Sequence, residues 1–280
     1  MNAPHLSLTE CLSQAQAQGL ARVDAQMLLL HSVGRPLHER AWLFAHDADT
    51  LTPEQQAKWQ AALQRRLNGE PVAYITGRKD FFGLTLGVDA RVLDPRPDTE
   101  TLVEWALALL PAQSMARVLD LGTGSGAIAL ALKKTRPGCT VTAVDASPEA
   151  LAVARANAQH LQLSVIWVCS NWMGAVAGPF DLIVSNPPYV AEGDPHLGAL
   201  THEPLQALVS GADGLDDIRH IIAQAPSRLA PGAWLLLEHG WDQAEAVQDL
   251  LRRAGFDAVQ SRQDLAGNER CTGGCLPLSA

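Results

Sequence analysis

The sequence predicts an α/β fold: a doubly wound, mostly parallel sheet preceded by a small helical bundle and a β-hairpin linker. Three observations lead to this prediction. From Arg117 onward, short apolar runs alternate with helical stretches, the order typical of a parallel sheet. A glycine-rich segment, Asp120–Ala127, falls where the first apolar run meets the first helical stretch. The first seventy residues, in contrast, carry apolar positions at helical spacing.

Length and composition favour a folded protein of two domains. The chain has 280 residues, of which 47% are hydrophobic and 18% charged, close to the average of globular proteins, and roughly 100 to 200 residues make one domain. No apolar run reaches the ~18–20 residues that cross a bilayer, and the amino terminus lacks the basic and apolar regions of a signal peptide. We expect a cytoplasmic protein without a membrane partner.

Charge and cysteine content disfavour two further classes. A protein that wraps nucleic acid usually presents a cationic surface, whereas this chain has a net charge of −9, so no stable nucleic acid partner is expected. The five cysteines are odd in number and scattered, which disfavours a disulfide framework. Cys271-x3-Cys275 lacks the second pair of ligands typical of a structural zinc site, and no metal is predicted.

Residues 1–75 are predicted to form a helical domain. Ser7-x-x-Glu10 is a capping-box pattern before a run of Ala, Gln and Leu. Thr52-Pro53-Glu54-Gln55 supplies an N-cap, a proline at the first helical position and a second box. Asn68-Gly69 is a helix stop signal. Apolar residues recur at helical spacing between these signals, which indicates a small bundle.

Residues 76–96 are predicted to be a hairpin linker. Phe81–Val88 offers short extended runs that are broken by glycines rather than a helical period. Pro95-Arg96-Pro97 follows, and its two prolines stiffen the chain before a helical stretch over Thr101–Leu110.

Residues 97–280 are predicted to form the α/β domain. The predicted strands are Arg117–Leu121, Thr140–Asp145, Ser164–Val168, Phe180–Ser185 and Ala233–Glu238. The predicted helices between them are Ala127–Thr135, Pro148–His160, Asp216–Leu229 and Gln243–Ala254.

A nucleotide-binding loop is predicted after the first strand. Its residues are Gly122, Thr123, Gly124, Ser125 and Gly126. Glycines at the crevice side of an open sheet let the backbone turn sharply and approach a ligand closely. The spacing also satisfies the looser dinucleotide fingerprint, so the loop alone does not identify the nucleotide.

Four flanking residues favour S-adenosylmethionine. Asp120 precedes the loop and is expected either to accept hydrogen bonds from the ligand amino group or to orient the loop. Asp145 ends the second strand, where a carboxylate would bind the two ribose hydroxyls; the alternative is a cap for the helix at Pro148. Asn171 and Trp172 follow the third strand, where the indole would pack beside adenine; Trp172 could equally be a core residue.

Asn186-Pro187-Pro188-Tyr189 is the segment that points to the reaction. It follows an apolar strand, and its two prolines make a rigid backbone that lacks N–H donors. The Asn186 side-chain oxygen and the Pro187 carbonyl could accept the two N–H bonds of a planar NH2 group, and Tyr189 could pack on that plane. Holding such a nitrogen in line with an activated methyl would favour methyl transfer.

These residues together resemble the class I, Rossmann-like methyltransferases that modify amino groups. Further segments resemble one family in particular, the peptide chain release factor glutamine N5-methyltransferases, over essentially the whole chain. Those segments are Asp94–Glu100, Asp194–Leu197, Glu203-Pro204, Leu237–Gly240 and Gly267–Arg270.

The resemblance implies methylation of the glutamine in the Gly-Gly-Gln loop of bacterial class 1 release factors, the protein partner. Carried over, the loop, Asp120 and Asp145 bind the cofactor, and Asn171 and Trp172 contact its adenine side. Asn186–Tyr189 holds the glutamine amide, and Asn186 is also expected to contact the cofactor. The product is S-adenosylhomocysteine. The helical domain is predicted to recognise the release factor, and the enzyme is expected to be a monomer.

The chain departs from the family pattern at two places. Asn171 stands where the family usually has an acidic residue, although an amide oxygen can accept the same bond. Thr201-His202 stands where the family usually has Arg-Phe before the Glu-Pro pair.

Three alternatives remain open at this point. A DNA adenine-N6 methyltransferase would use the same chemistry on a flipped base, but the acidic charge disfavours it. A ribosomal protein glutamine methyltransferase shares the tetrapeptide, and a non-catalytic nucleotide-binding adapter shares the fold. Glu238-His239 resembles an acid/base pair, but we interpret it as structural because the chemistry requires neither residue.

Overall fold

The computed structural model describes residues 6–278. The chain divides into two compact units, Met1–Arg78 and Lys79–Ala280. The first five residues of the predicted helical domain and the last two of the predicted α/β domain lie outside the described residues.

The first unit is helical, as predicted. Its helices are α1 (Leu8–Ala17), α2 (Arg22–Ser32), α3 (Arg40–Ala45), α4 (Pro53–Leu67) and α5 (Val72–Thr76). The capping box of α1 is confirmed: Ser7 N donates to Glu10 Oε2 over 2.8 Å, and Glu10 N donates back to Ser7 Oγ. Thr52 and Gln55 form the second box at α4.

Leucine and tryptophan side chains form the core of this unit. Leu28, Leu29 and Leu30 on α2 and Trp59 on α4 are almost fully buried in one apolar cluster. Helix α4 ends at Leu67 with Asn68 as its C-cap, at the predicted stop signal, and Gly69 follows with a φ of +92°. The capping boxes of α1 and α4 and the apolar positions at helical spacing are local signals, which explains why the sequence predicted a helical unit here.

The second unit contains a hairpin and an α/β sheet. The hairpin strands are β1 (Arg78–Phe81) and β2 (Leu84–Gly87). The sheet strands are β3 (Arg117–Leu121), β4 (Thr140–Asp145), β5 (Ile166–Cys169), β6 (Phe180–Ser185), β7 (Leu229–Glu238), β8 (Asp257–Gln263) and β9 (Glu269–Cys275). The helices are α6 (Glu100–Leu109), α7 (Ala127–Thr135), α8 (Pro148–Leu161), α9 (Asp216–Gln224) and α10 (Ala244–Arg253).

The strand order confirms the predicted mostly parallel sheet. Within the described residues, seven strands run in the order β5-β4-β3-β6-β7-β9-β8. Strands β5, β4, β3, β6 and β7 are mutually parallel, whereas β9 is antiparallel to both neighbours. The chain runs outward from β3 through β4 to β5 and then returns to the other side of β3. The resulting switch point lies between β3 and β6, where a crevice opens at the carboxyl ends of the strands.

Three predicted boundaries were wrong by two residues or more. Strand β7, predicted from Ala233, begins at Leu229. The helix predicted over Asp216–Leu229 ends at Gln224 and gives way to a short 3-10 turn that contains Pro226. Proline disfavours the helical conformation of the residue before it and has no N–H for the ladder, which explains the early end. The third sheet strand begins at Ile166, two residues later than predicted.

The strands β8 and β9 were not predicted at all. Strand β8 is largely exposed and carries no alternating apolar pattern. Strand β9 contains Gly273 and Gly274, and two consecutive glycines in a sequence are more typical of a loop than of a strand. A Cβ on Gly273 would lie 2.4 Å from Leu236 Cδ2, and one on Gly274 would lie 2.8 Å from Phe256 Cβ. Packing on neighbours that are distant in sequence therefore requires these glycines.

No helix among residues 6–278 is long and apolar enough to span a membrane.

Candidate active site

The predicted site residues converge on the crevice at the switch point. Gly122 and Gly124 follow β3, Asp145 ends β4, and Asn186 follows β6; all four line one cleft. Asn171, Trp172 and Pro188 line the same cleft. Neighbouring parallel strands explain this convergence, because their carboxyl ends meet at one edge of the sheet.

The glycine loop adopts a backbone that side chains disfavour. Gly122, Gly124 and Gly126 have φ values of +68°, +55° and +83°. A Cβ on Gly126 would lie within 3.1–3.3 Å of Leu130, Ala154 and Trp167, so the third glycine lets α7 pack closely on its neighbours. Gly122 faces the ring of Trp172. The loop thus presents bare backbone to the cleft.

Asp120 lies behind the loop. It is fully buried, and its Oδ2 accepts hydrogen bonds from Thr123 Oγ1 at 2.6 Å and from Ala129 N at 3.2 Å. Burial raises the pKa of Asp120 to about 7, against the effect of these two hydrogen bonds. Its Oδ1 has no hydrogen-bond partner within the described part of the chain. The geometry supports the loop-orienting alternative; contact with a ligand amino group stays a prediction.

Thr123 and Ser125 are buried members of the loop. Thr123 turns its hydroxyl towards Asp120, and the Ser125 carbonyl accepts a hydrogen bond from Asn157 Nδ2 at 2.9 Å. The Thr123 hydroxyl and the Ser125 carbonyl therefore fix the loop from the protein side. Ligand contacts by these two residues and by Gly126 stay predictions.

Asp145 links the loop to the next strand. Its Oδ2 accepts a hydrogen bond from Gly124 N at 2.8 Å, and its Oδ1 accepts one from Ser147 N at 2.9 Å. The capping alternative was wrong, because the N-cap of α8 is Ser147, whose hydroxyl accepts from Ala150 N. Burial raises the pKa of Asp145. A carboxylate with spare lone pairs at the cleft edge fits a ribose diol.

Trp172 belongs to both the cleft and the core. Its Nε1 donates to Asp217 Oδ1 at 3.2 Å, and its ring lines the cleft beside Gly122. The ring also packs against the apolar cluster of the sheet. The structure thus supports the core alternative, and packing of the indole beside adenine stays a prediction. Asn171 lines the cleft as an exposed side chain.

The tetrapeptide after β6 is anchored at both ends. Asn186 Nδ2 donates to Thr99 Oγ1 at 3.2 Å. The Tyr189 carbonyl accepts from Gln243 Nε2 at 3.0 Å, and burial raises the pKa of the Tyr189 hydroxyl. Pro187 is buried, whereas Pro188 lines the cleft. These anchors and the prolines keep the segment rigid at the mouth of the switch point.

The segment between Tyr189 and Leu208, here called the strap, forms one side of the cleft. Pro204, Gln206 and Ala207 line the cleft from this strap. Glu203 holds the strap in place: its buried carboxylate accepts from Arg96 Nη2 and, at 3.4 Å, from Asp94 N. The Pro-x-Pro linker and the Glu-Pro pair, which resembled family features separately in sequence, are therefore joined by an ion pair. The atypical Thr201 is exposed and His202 is half-buried.

His239 is a structural residue. It is fully buried, its Nδ1 lies 2.8 Å from the Gly240 carbonyl, and its Nε2 lies 2.7 Å from Thr272 Oγ1. A carbonyl only accepts, so Nδ1 carries the proton and Nε2 accepts from the Thr272 hydroxyl. Burial lowers the pKa of His239, and the neutral ring is satisfied on both sides.

Two polar residues at the site, Thr99 and Glu238, were not predicted as site residues: Thr99 was noted only within a segment that resembles the family, and Glu238 was interpreted as structural. Thr99 precedes α6 and contacts Asn186, and Glu238 ends β7 beside the same strand end. Both are buried. The position of Glu238 at the carboxyl end of a predicted strand was the available signal, but its neighbours could not be read from the sequence.

Among residues 6–278, no group of three or more His, Cys, Asp or Glu side chains is placed to hold a metal ion. All five cysteines are free thiols.

Two family models match the chain: a PrmC N-terminal domain over residues 7–77 and a methyltransferase small domain over residues 99–213. The release factor glutamine methyltransferase of Bordetella pertussis is 50% identical over 262 residues, covering 92% of this chain and 96% of the relative. The Escherichia coli protein of the same name is 49% identical over 269 residues, covering 95% and 96%. A solved methyltransferase from Pyrococcus furiosus shares the fold, with a TM-score of 0.56 at 20% identity over 78% of this chain and all of that one.

Proposed function

Because the chain belongs to the release factor glutamine methyltransferase family, we propose that its cleft transfers a methyl group from S-adenosylmethionine to a glutamine side-chain nitrogen. The substrate is the glutamine of the Gly-Gly-Gln motif in class 1 peptide chain release factors. The observation that supports this best is the placement of Asn186 beside the glycine loop, with its amide nitrogen directed to Thr99 Oγ1 over 3.2 Å.

The residues of the cleft fit S-adenosylmethionine. A Cβ on Gly122 would fall 3.5 Å from the Trp172 ring, so the bare backbone and the indole pack together and form one wall of the cleft. Asp145 offers lone pairs to the ribose hydroxyls, and Trp172 and Asn171 flank the region proposed for adenine. Bound S-adenosylmethionine supplies a methyl group on a positively charged sulfonium, and the sulfur retains the electron pair of the broken bond.

The chain's contribution to the chemistry is to hold and orient the amide. Delocalisation makes an amide nitrogen a poor nucleophile, so acceptors on its two N–H bonds favour the tetrahedral nitrogen that develops during transfer. Asn186 Oδ1 and the Pro187 carbonyl are the proposed acceptors. The nitrogen gains one carbon bond and then releases one proton to water, so no strong base is required. In-line placement supplies most of the acceleration.

The Tyr189 ring is proposed to pack on the plane of the substrate amide. The Tyr189 backbone carbonyl accepts a hydrogen bond from Gln243, and the half-buried Tyr189 ring belongs to a rigid segment. A planar apolar wall beside the amide restricts its rotation and limits access of water, which helps the two acceptors to define one orientation.

The helical unit is proposed to recognise the body of the release factor. It is a folded unit with its own core, and its sequence matches the PrmC N-terminal domain. Deleting residues 1–68 should preserve S-adenosylmethionine binding and abolish methylation of the intact release factor; retained methylation would refute this role. We further propose that the enzyme acts as a cytoplasmic monomer.

Methyl incorporation into competing acceptors tests the proposal. The protein is incubated with labelled S-adenosylmethionine and one of three acceptors: a class 1 release factor, a ribosomal protein fraction or adenine-containing duplex DNA. We expect label in the release factor alone. Preferential label in the DNA or in a ribosomal protein would refute the proposed substrate.

A further inference from the structure

Two buried polar side chains, Thr99 and Glu238, lie behind the tetrapeptide and take no part in the chemistry described above. Thr99 is 4% exposed and Glu238 is 0% exposed. Thr99 is 87 positions away from Asn186 in the chain, yet the two side chains form a hydrogen bond. Glu238 ends β7, directly beside the end of the strand that carries Asn186.

In the Asn186–Thr99 hydrogen bond the Thr99 hydroxyl is the acceptor, so its own proton requires a second partner. Thr99 Oγ1 accepts from Asn186 Nδ2 at 3.2 Å, so the Thr99 hydroxyl can donate its own proton elsewhere. Both oxygens of Glu238 are buried and lack a well-formed hydrogen bond within residues 6–278. Burial raises the pKa of Glu238 to about 7, whereas the neighbouring Thr99 hydroxyl, the Arg270 charge and the Asn186 amide act in the opposite direction.

A carboxylate in this position distinguishes between the two orientations of the Asn186 amide. An ionised carboxylate only accepts hydrogen bonds, so it attracts the Thr99 proton and leaves the Thr99 lone pairs facing Asn186. The amide then turns its NH2 group to Thr99 and its Oδ1 to the opposite side. In the reversed orientation the NH2 group would face the cleft, where it cannot accept a bond from a substrate nitrogen.

We propose that Thr99 and Glu238 are positioning residues that hold the Asn186 amide with Oδ1 directed to the substrate nitrogen. This inference rests on the proposed function of the cleft. It also revises the interpretation of Glu238-His239 as a structural pair: His239 is structural, whereas Glu238 acts on the reaction through Thr99 and Asn186.

Stability alone does not explain a carboxyl group at position 238. A buried carboxyl without well-formed hydrogen bonds destabilises a fold, and an apolar residue of the same size is usually more stable. The Arg270 charge acts on Glu238, but the Arg270 guanidinium pairs with Asp98 at 3.5 Å and Asp264 at 3.3 Å. Glu238 therefore lacks a cation of its own, and orientation of Asn186 is the contribution that its surroundings support.

Steady-state kinetics of four variants test the proposal. Thr99→Val and Glu238→Met remove the hydroxyl and the acceptor with little change of volume. We expect kcat for release factor methylation to fall by about 10- to 100-fold, as for a misplaced reacting group, with KM for both substrates within about threefold of wild type. Thr99→Ser and Glu238→Gln, which keep a hydroxyl and an acceptor oxygen, should recover most of kcat.

Thr272→Val is the matched control, because it removes another buried hydroxyl from the same unit, one that is bonded to His239. It should lower the melting temperature while preserving kcat, whereas Glu238→Met should lower kcat without lowering the melting temperature. Unchanged kcat in Thr99→Val and Glu238→Met would overturn the inference. So would a loss of kcat that merely follows the loss of folded protein. Absence of glutamine methylation by the wild-type enzyme would instead overturn the proposed function itself.

Discussion

The two sides of the cleft are built in different ways. On the cofactor side, Asp120 and Asp145 hold the loop through hydrogen bonds to Thr123 and Gly124, all within a short stretch of the chain. On the substrate side, Asn186 depends on Thr99, which is 87 positions away, and on Glu238 at the end of another strand. The cofactor side is thus a local motif, and the substrate side is a long-range assembly.

This difference predicts different responses to substitution. A change on the cofactor side weakens a binding contact that a higher ligand concentration can restore. A change on the substrate side disturbs an orientation needed in the transition state, and no substrate concentration restores it.

The largest effect is expected for Asn186→Ala. Loss of the acceptor that holds the amide should reduce kcat by about 10²- to 10³-fold, comparable to removal of one preorganised polar group from an active site. S-adenosylmethionine should bind within a few-fold of wild type, which calorimetry can check. A variant that retains kcat and loses only cofactor affinity would place Asn186 on the cofactor side and break the comparison.

A smaller and different effect is expected for Asp145→Ala. Loss of the proposed hydrogen bonds to the ribose should weaken S-adenosylmethionine binding by about 10- to 100-fold, the value typical of bonds to a charged group. Saturating S-adenosylmethionine should restore most of kcat. If kcat stays low at saturation, Asp145 contributes to the transition state, and the proposed division of roles is wrong.

The distinction between local and long-range construction also explains what the sequence could predict. The loop after β3, Asp145 and the tetrapeptide are contiguous patterns at strand ends, so the sequence located them, and five of these residues line one cleft together with Asn171 and Trp172. Thr99 and Glu238 were not assigned to the site, and Glu238 was interpreted as structural, because only the folded sheet brings them to Asn186. Threonine and glutamate occur at many positions without a role in an active site, so their presence alone does not indicate one.

The same reasoning applies to the fold. The capping boxes of α1 and α4 and the apolar strands β3, β4 and β6 were predicted within a residue because their signals are local. Strands β8 and β9 were missed for different reasons. Strand β8 lacks an alternating apolar pattern, and β9 contains glycines because a Cβ there would clash with Leu236 and Phe256. Tertiary packing outweighs intrinsic propensity at these positions.

A third prediction concerns the stability of the cofactor loop. Gly126→Ala forces a Cβ onto a φ of +83° and against Leu130, Ala154 and Trp167, and should lower the free energy of unfolding by about 1–3 kcal/mol. Gly255→Ala is the matched control, because its φ is +85° but nothing lies within 4 Å of the added Cβ. Denaturant unfolding should show the larger loss for Gly126→Ala. Equal losses would mean that close packing of α7 does not require this glycine.

The smallest effect is a pH dependence of stability that involves one carboxyl from each side. Burial raises the pKa of both Asp120 and Glu238 to about 7, so the folded protein binds more protons than the unfolded chain between about pH 4 and 7. Their contribution to stability is therefore greatest below pH 4 and is lost as the pH rises through 7. The melting temperature of Glu238→Met, relative to wild type, should increase over this range. A constant difference would contradict the raised pKa.

The most direct test of the central claim is tandem mass spectrometry of a class 1 release factor after incubation with S-adenosylmethionine and either wild-type enzyme or Asn186→Ala. The account predicts one methyl group on the side-chain nitrogen of the Gly-Gly-Gln glutamine with the wild-type enzyme. The variant, with its cofactor binding intact, should leave that glutamine almost unmodified. A methyl group on another residue, or equal methylation by the two enzymes, would contradict it.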